Sequence, residues 1–160
     1  MAGNKANIKG SGVEIFAAVR SSDATPVTLP ALSVVNAGGD STWKLLAPTR
    51  EGSTKISGAQ LNKEILQDGS EQQLSTSTPW ESEVLDSSGT MLATIESFLN
   101  ASVDILFREV GKATCHRIQK TNIACVPDFP LSAKKANVYK ISGDRLAGKL
   151  SDVYDQVTLT

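Results

Sequence analysis

The stretch GTMLATIESFLNASVDILFREVGK, residues 89–112, changes its hydrophobic rhythm at Asn100. Before Asn100 the apolar residues recur at helical spacing, and on a helical wheel they fall within an arc of about 120°. The residues of this apolar face are Met91, Leu92, Ile95, Phe98 and Leu99. An aspartate and two serines at residues 86–88 can cap the amino end, and Asn100 suits the carboxyl end. The pattern predicts one amphipathic helix at about residues 88–100, which is too short to be stable unless it packs on a neighbouring surface.

Outside this helix, apolar and polar residues alternate in a way that predicts strands. Segment 12–19, GVEIFAAV, alternates, and so do residues 103–108 after the helix. EVGK at residues 109–112 is typical of a hairpin turn, so ATCHRIQ should return as the next strand. The prolines of VPDFPLS break the ladder, and the alternation resumes in AKKANVYKISG and in the tail SDVYDQVTLT. We predict a single domain over residues 1–160, mainly β, forming a β-sandwich or barrel with one flanking α-helix.

The long segment STWKLLAPTREGSTKISGAQLNKEILQDGS, between the early strand and the helix, is polar and contains several glycines. It is too long for an ordinary connection in a compact domain, since loops of that length are usually functional or disordered. Its apolar residues are too sparse to form a core of their own. We therefore predict that residues 44–72 form an extended arm or long hairpin, which contributes little to the core and becomes ordered on a partner.

The composition limits the class of partner and the compartment. The 160 residues include 16 basic and 17 acidic ones, and a net charge of -1 gives no general electrostatic affinity for nucleic acid. No apolar run approaches the ~20 residues of a membrane span, and the N-terminus lacks the apolar core of a signal peptide. We expect a protein that folds in a cytoplasm. Cys115 and Cys125 fit that reducing compartment as free thiols, since only a chain reversal near residues 120–122 would bring them together.

No constellation of residues supports catalysis, and we predict neither enzyme activity nor a cofactor or metal site. His116 is the only histidine. Its neighbour Cys115 should point to the opposite face of a strand, which is poor geometry for a nucleophile and its base. We interpret His116 as facing solvent or a subunit contact. A zinc site would need more ligands, unless carboxylates or a second subunit completed the set.

Two further motifs are explained without a binding function. NAGGDST, residues 36–42, lacks the lysine and the following helix of a phosphate-binding loop, so we interpret it as a turn. SAKKANVYK, with Lys134, Lys135 and Lys140, is the densest basic segment, and a solvated strand edge explains it better than contact with nucleic acid.

The order of the elements resembles the tail tube (major tail) proteins of bacteriophages and the related tubes of contractile injection systems. The resemblance covers roughly residues 10–145 and includes the pieces TWKLLAPTREGSTKIS and NIACVPDFPLSAKKANVYKISGD. It implies a β-sandwich that closes into a six-membered ring, with rings stacked into a tube and a long arm that reaches the neighbouring ring. The inter-ring contact candidates in that arm are Lys55, Ile56, Leu61, Lys63, Glu64, Ile65 and Asp68.

The resemblance also implies a location in the virion and a set of partners. The chain would bind copies of itself and other tail proteins, such as the tape measure, the terminator and, in a contractile tail, a sheath. DNA would pass through the lumen without specific binding, and no membrane would be involved. Two alternatives stay open: another phage structural protein, such as a tail terminator, connector or head decoration protein, and a ligand-binding β-sandwich module. The second is disfavoured because few aromatic residues could supply stacking platforms: Trp43, Trp80, Tyr139 and Tyr154.

Overall fold

The computed structural model describes a chain of many short strands and few helices. It describes residues 12–46, 48–57, 59–65, 67–69, 71–77, 79–85, 90–132, 134, 137–147 and 150–160. The helices in these ranges are α1 (Leu32–Asn36), α2 (Met91–Glu96) and a 3-10 helix (Leu150–Asp152). The strands are β1 (Val13–Val19), β2 (Lys44–Leu46), β3 (Lys55–Ile56), β4 (Ala59–Ile65), β5 (Glu71–Ser77), β6 (Trp80–Leu85), β7 (Val103–Glu109), β8 (Thr114–Thr121), β9 (Ala124–Asp128), β10 (Val138–Gly143), β11 (Leu146–Ala147) and β12 (Tyr154–Thr158).

The strands pair in antiparallel fashion throughout the described residues. Five of them form the largest sheet, in the order β12-β8-β7-β1-β2, and four form a second sheet, in the order β3-β6-β10-β9. A smaller sheet has the order β11-β5-β4, in which β4 and β5 form a hairpin. The prediction of a mainly β fold is confirmed.

One large apolar cluster, here called the central cluster, draws side chains from the five-stranded and the four-stranded sheets. The ring of Trp80 on β6 meets the ring of Phe107 on β7 edge-on, with centroids 5.5 Å apart. Ile95 and Phe98, in and just after α2, are buried in the same cluster. Its other buried members are Ile15, Ala17, Leu46, Val84, Val103, Ile105, Ile118, Ile123, Tyr139 and Ile141. A core shared between two antiparallel sheets is consistent with a β-sandwich.

The five-stranded sheet is also covered on its other face, by what we call the outer cluster. Its buried members are Phe16, Ala18, Val35, Trp43, Leu106, Cys115 and Leu159. Val35 belongs to α1, a helix that the sequence pattern did not predict because five residues are too few to show a helical period. The prediction of one flanking helix is therefore wrong in number. With both faces covered, β7 is buried from Val103 to Arg108, so its polar positions are not solvent-facing.

Helix α2 is shorter than the predicted 88–100. It spans Met91–Glu96, and turns continue the chain through residues 97–100. Asn100 takes a left-handed backbone conformation with φ of 62°, a conformation that Asn tolerates better than most residues. The residue therefore ends this segment, as the sequence suggested, although the regular helix has already ended. The proposed capping residues at 86–88 lie outside the described residues.

The strands after α2 follow the predicted order with two corrections. The turn between β7 and β8 contains Gly111 with φ of 87°, as the segment EVGK predicted. Pro127 does not break the ladder, because it lies within β9, an edge strand where a missing N–H is tolerated. Lys140 is exposed, but it is not at a strand edge, since β10 pairs with β6 on one side and β9 on the other.

The predicted arm at residues 44–72 divides into two parts. Its first part belongs to the body: β2 pairs with β1, β3 pairs with β6, and Leu46 is fully buried. The prediction that residues 44–57 contribute little to the core is therefore wrong. The second part is in the hairpin of β4 and β5, which pairs with β11 and with neither of the larger sheets in the described residues.

Candidate assembly surface

The described part of the chain holds no cluster of ligating side chains. Nowhere in it do three histidine, cysteine, aspartate or glutamate residues come close enough to hold a metal ion. Within the same ranges, no helix has the length and apolar character needed to cross a membrane. The isolated polar groups and the exposed surfaces are the remaining candidates for a functional site.

His116 lies on β8 with its side chain exposed, as the alternation predicted. Its Nδ1 is 2.7 Å from the hydroxyl oxygen of Tyr154, and the two rings stack with centroids 5.9 Å apart. The neighbouring Cys115 is fully buried in the outer cluster, so the two side chains lie on opposite faces. Burial raises the pKa of the Cys115 thiol, which favours the unreactive protonated form. This pair has no geometry for nucleophilic catalysis.

Both cysteines are free thiols in the structure, as the sequence predicted. Cys115 packs in the outer cluster, whereas Cys125 on β9 packs against the central cluster. The two thiols thus contact different cores. Burial, and to a lesser degree the Glu96 carboxylate, raises the pKa of the Cys125 thiol as well. Both cysteines therefore act as packing residues.

A buried ion pair joins Arg20, after β1, to Asp104 on β7. Nη1 of Arg20 donates to Oδ1 of Asp104 at 2.7 Å, and both side chains are almost completely buried. The carboxylate also accepts the backbone N–H groups of Val27 at 2.8 Å and Lys120 at 3.1 Å. Asp104 therefore holds together three separate segments of the chain. Sequence reasoning missed it, because an aspartate at a polar position of an alternating strand is usually solvated.

Arg108 forms a second buried network at the other end of β7. Its guanidinium donates to Oε2 of Glu14 at 3.0 Å, to the backbone oxygen of Lys112 at 2.6 Å, and to Oδ1 of Asn36. These bonds connect β1, the turn after β7 and the end of α1. Like the pair of Arg20 and Asp104, Arg108 donates its hydrogen bonds to groups of the same chain. We therefore assign this network a structural role.

The surface offers several unpaired strand edges among the described residues. The outermost strands are β2 and β12 in the five-stranded sheet, β3 and β9 in the four-stranded sheet, and β4 and β11 in the smallest. An edge strand presents backbone N–H and C=O groups that can pair with another chain. β4 has seven residues, and β9 and β12 have five each. These strands are long enough to extend a sheet into a neighbouring molecule.

Exposed apolar side chains concentrate at β9 and the loop that follows it. Val126, Phe129 and Leu131, here called the proline-flanked patch, alternate with Pro127 and Pro130 and are 60%, 39% and 85% exposed. Only two other large apolar side chains in the described residues are as exposed. Leu131 has φ of 53°, a left-handed conformation that is rare for a bulky residue and costs about 1–3 kcal/mol. The patch is therefore the apolar candidate for an interaction surface in the described part of the chain.

A charged groove borders the patch on the outer face of the four-stranded sheet. It has a volume of about 680 Å³ and is lined by Val126 and Lys140 together with Arg50 and Glu83. Arg50 and Glu83 form an ion pair at 2.8 Å across this groove. Lys140 lies 3.5 Å from the carboxylate of Asp128 on β9, and both side chains are about half exposed. The apolar patch therefore has a polar, charged border, as protein interfaces usually do.

The structure separates the predicted inter-ring contact residues. Lys55 is exposed on β3, but Ile56 beside it is partly buried against the central cluster, so it is not available as an exposed contact. The other predicted contacts in the arm are Leu61, Lys63, Glu64 and Ile65 on β4, and Asp68 in the turn after it. The backbone of β4 is described and pairs with β5, while the surroundings of its side chains lie outside the described part. Asp68 is exposed.

The predicted apolar face of the helix is narrower than expected. Ile95 and Phe98 are buried in the central cluster, and Met91 and Leu99 pack against it. Leu92 is 41% exposed and does not belong to this face, which is a correction. Because the regular helix ends at Glu96, fewer turns lie on the sheet than the wheel assumed.

The aromatic residues do not form an exposed binding platform. Trp43, Trp80 and Tyr139 are buried, and Tyr154 is half buried and stacked on His116. The indole N–H groups of both tryptophans donate within the chain, Trp43 to the backbone oxygen of Thr28 and Trp80 to the hydroxyl of Thr121. These four side chains are therefore committed to the fold.

Comparison with known proteins gives no family for this chain. A scan against protein-family models found no match, and a search of the curated proteins found no significantly similar sequence.

Proposed function

We propose that this chain is a structural subunit of a bacteriophage tail tube, in which hexameric rings stack into a conduit for DNA. The proposal rests on the resemblance in element order, and the hairpin of β4 and β5 is the observation that supports it best. This hairpin extends from a mainly β body without joining either of its larger sheets in the described residues. A subunit of a stacked ring needs such an element, because the element would contact a subunit of the neighbouring ring.

The open strand edges support the same proposal. A ring closes when unlike surfaces of successive subunits meet, so each subunit needs two different edges that can pair. β9 and β12 are edges of the two larger sheets. In the proposed tube, sheets continue from one β-sandwich to the next, and the other tail proteins, including the tape measure and the terminator, bind at the tube or its ends.

The absence of a binding platform among the aromatic residues weighs against the ligand-binding alternative. A carbohydrate-binding module needs exposed aromatic rings, and the candidate rings are buried or stacked within the chain. Another virion protein, such as a terminator or a decoration protein, differs from a tube protein in forming a single ring or a small oligomer.

Electron microscopy of the purified protein, with light scattering during size-exclusion chromatography, tests the proposal. We expect hexameric rings or tubes of uniform diameter that lengthen with protein concentration. A protein that stays monomeric over a wide range of concentration and salt would overturn the proposal. A single closed ring that never stacks would instead support the terminator alternative.

A matched variant tests the hairpin itself. The backbone N–H of Ser57 donates to the oxygen of Pro79 at 2.9 Å, so the two ends of the hairpin lie side by side. Replacing residues 58–78 by an Asn-Gly turn should join β3 to β6 without moving either strand. We expect a folded variant that no longer builds tubes. A variant that polymerises like the natural chain would refute the assembly role of the hairpin.

A further inference from the structure

The loop after β9 holds an apolar side chain away from the body. Leu131 is 85% exposed, and its left-handed φ of 53° is rare for a bulky residue. The residues before it fix this position. Phe129 packs edge-on against Tyr139 with ring centroids 5.2 Å apart, and the ring of Pro130 restricts the backbone between Phe129 and Leu131. This segment, here called the Leu131 loop (residues 129–132), is therefore held in place by the body, which lowers the entropic cost of binding a partner.

A pocket at the start of β9 can receive such a side chain. This pocket, here called the Trp80 pocket, has a volume of about 390 Å³ and apolar walls from Pro79, Trp80 and Ala124. It lies at the base of the hairpin of β4 and β5, because Ser57 and Pro79, which flank the hairpin, both line it. The pocket is thus beside the element that the proposed function assigns to the neighbouring ring.

The loop and the pocket lie at opposite ends of the four-stranded sheet. β9 begins at Ala124, which lines the pocket, and ends at Asp128, one residue before the loop. Because β9 pairs with β10 along this length, the loop of a chain is held away from the pocket of the same chain. A contact between the loop of one copy and the pocket of the next joins unlike surfaces, so it can repeat from subunit to subunit.

The two sites have complementary charge. Glu81 and Asp144 line the pocket, and none of the described residues that line it is basic. The segment FPLSAKKAN, residues 129–137, contains two lysines and no acid. One of them, Lys134, is exposed three residues after Leu131. This distribution favours a contact between a loop and a pocket over a contact between two loops or between two pockets.

We infer that Leu131 of one copy of this chain inserts into the Trp80 pocket of a copy in the neighbouring ring. The inference rests on the proposed function and names the surfaces that join successive rings. Each ring then presents Leu131 loops on one face, and pockets together with hairpins on the other, which gives the tube a direction. Burial of Leu131 supplies the affinity, and the lysines and carboxylates orient the two subunits.

Truncation of the side chain tests its role. Leu131→Ala should raise the protein concentration needed for tube formation by about tenfold or more, as expected when a leucine side chain loses its buried position. Leu92→Ala, which truncates the exposed leucine of α2, is the matched control and should leave that concentration unchanged. Ala124→Phe, which fills the pocket from an exposed position of β9, should act like Leu131→Ala. Thermal melting checks that each variant is folded.

Cysteine cross-linking tests which surfaces meet. A chain that carries Leu131→Cys and Ala124→Cys in a Cys125→Ser background should form disulfide-linked ladders under mild oxidation. Because the contact joins successive rings, the ladders should extend beyond six subunits in tubes of more than six rings. A ladder that stops at six places the contact within a ring, and dimers of Leu131→Cys protein alone mean that two loops meet. Either result overturns the inference.

The outcomes separate this inference from the proposed function. Tubes that form at the natural concentration with Leu131→Ala, or assembled tubes of the double-cysteine chain that give no ladder, overturn the contact while the tube function stands. A natural chain that never assembles overturns both.

Discussion

Phe98 gives the sharpest test of how the α2 segment is held to the body. Its side chain is 1% exposed in the central cluster, whereas Leu92, six residues earlier on the same segment, is 41% exposed. The Phe98→Ala variant removes a ring that neighbouring side chains cannot fully replace, so we expect a loss of about 3–5 kcal/mol in the free energy of unfolding. Leu92→Ala makes a smaller truncation at a partly exposed site of the same segment and should cost less than about 1 kcal/mol.

The apolar contribution dominates at Phe98. The ammonium of Lys44 lies 5.8 Å from the ring centroid, which is worth only about 0.5–1 kcal/mol at a partly exposed site. Urea unfolding followed by circular dichroism measures both variants against the natural chain. At about 2–4 °C per kcal/mol for a chain of this size, the melting temperature of Phe98→Ala should fall by roughly 6–20 °C.

The comparison of the two variants tests whether the α2 segment closes the central cluster. Equal losses for Phe98→Ala and Leu92→Ala, or a loss below about 1 kcal/mol for Phe98→Ala, would show that the segment does not close the central cluster.

Three further predictions concern the buried polar groups, the close backbone contacts and the thiols. Asp104→Asn should lower the free energy of unfolding by about 3–5 kcal/mol in urea titrations, because the charge of Arg20 stays buried without its counter-ion; Asp155→Asn, whose ion pair with Arg117 is more exposed, is the control and should cost under about 1 kcal/mol. Gly143→Ala should be strongly destabilising by thermal melting, because the added Cβ would overlap the backbone oxygen of Asn122 and the indole of Trp80, while Gly52→Ala should show only the smaller strain of its positive φ, since its Cβ would meet open space. Both cysteines should react with a thiol reagent in urea without prior reduction, and a requirement for reductant would contradict the free thiols. In the native protein Cys125 should react before the fully buried Cys115. Because burial raises the pKa of both thiols, they ionise less at pH 8 than an ordinary thiol, and their labelling should quicken as the pH rises further.

The sequence predicted the parts of the fold that depend on local periodicity. The alternation around β1, β7 and β8, and the glycine in the turn at residues 109–112, were enough to place a β-hairpin and a mainly β fold. Long-range burial was not visible in the same pattern. Asp104 and Arg108 occupy polar positions of an alternating strand, and only the arrival of Arg20 and Glu14 from elsewhere in the chain makes their burial favourable.

The candidate surface was predicted only in part. The polar composition of the arm suggested an assembly element, but it did not show that β2 and β3 are strands of the body, because their partners β1 and β6 are distant in sequence. The patch at residues 126–131 has a readable signal, since three apolar residues there alternate with prolines outside any regular period. The prolines led us to interpret the segment as an interruption of the strand. Which of its apolar side chains are exposed depends on the pairing of β9 with β10, a contact that the local pattern does not show.

The hydrogen bond between Ser57 and Pro79 has a consequence for the continuity of the chain. Because the hairpin leaves and re-enters the body at one point, a cut at its tip, near Gly69, divides the protein into two fragments without cutting a strand of either larger sheet. The first fragment carries β1, which lies between β2 of its own fragment and β7 of the second. Neither fragment contains a complete core, and each supplies what the other lacks. The molecule is thus built as two complementary halves, each of which contributes buried side chains to the central cluster.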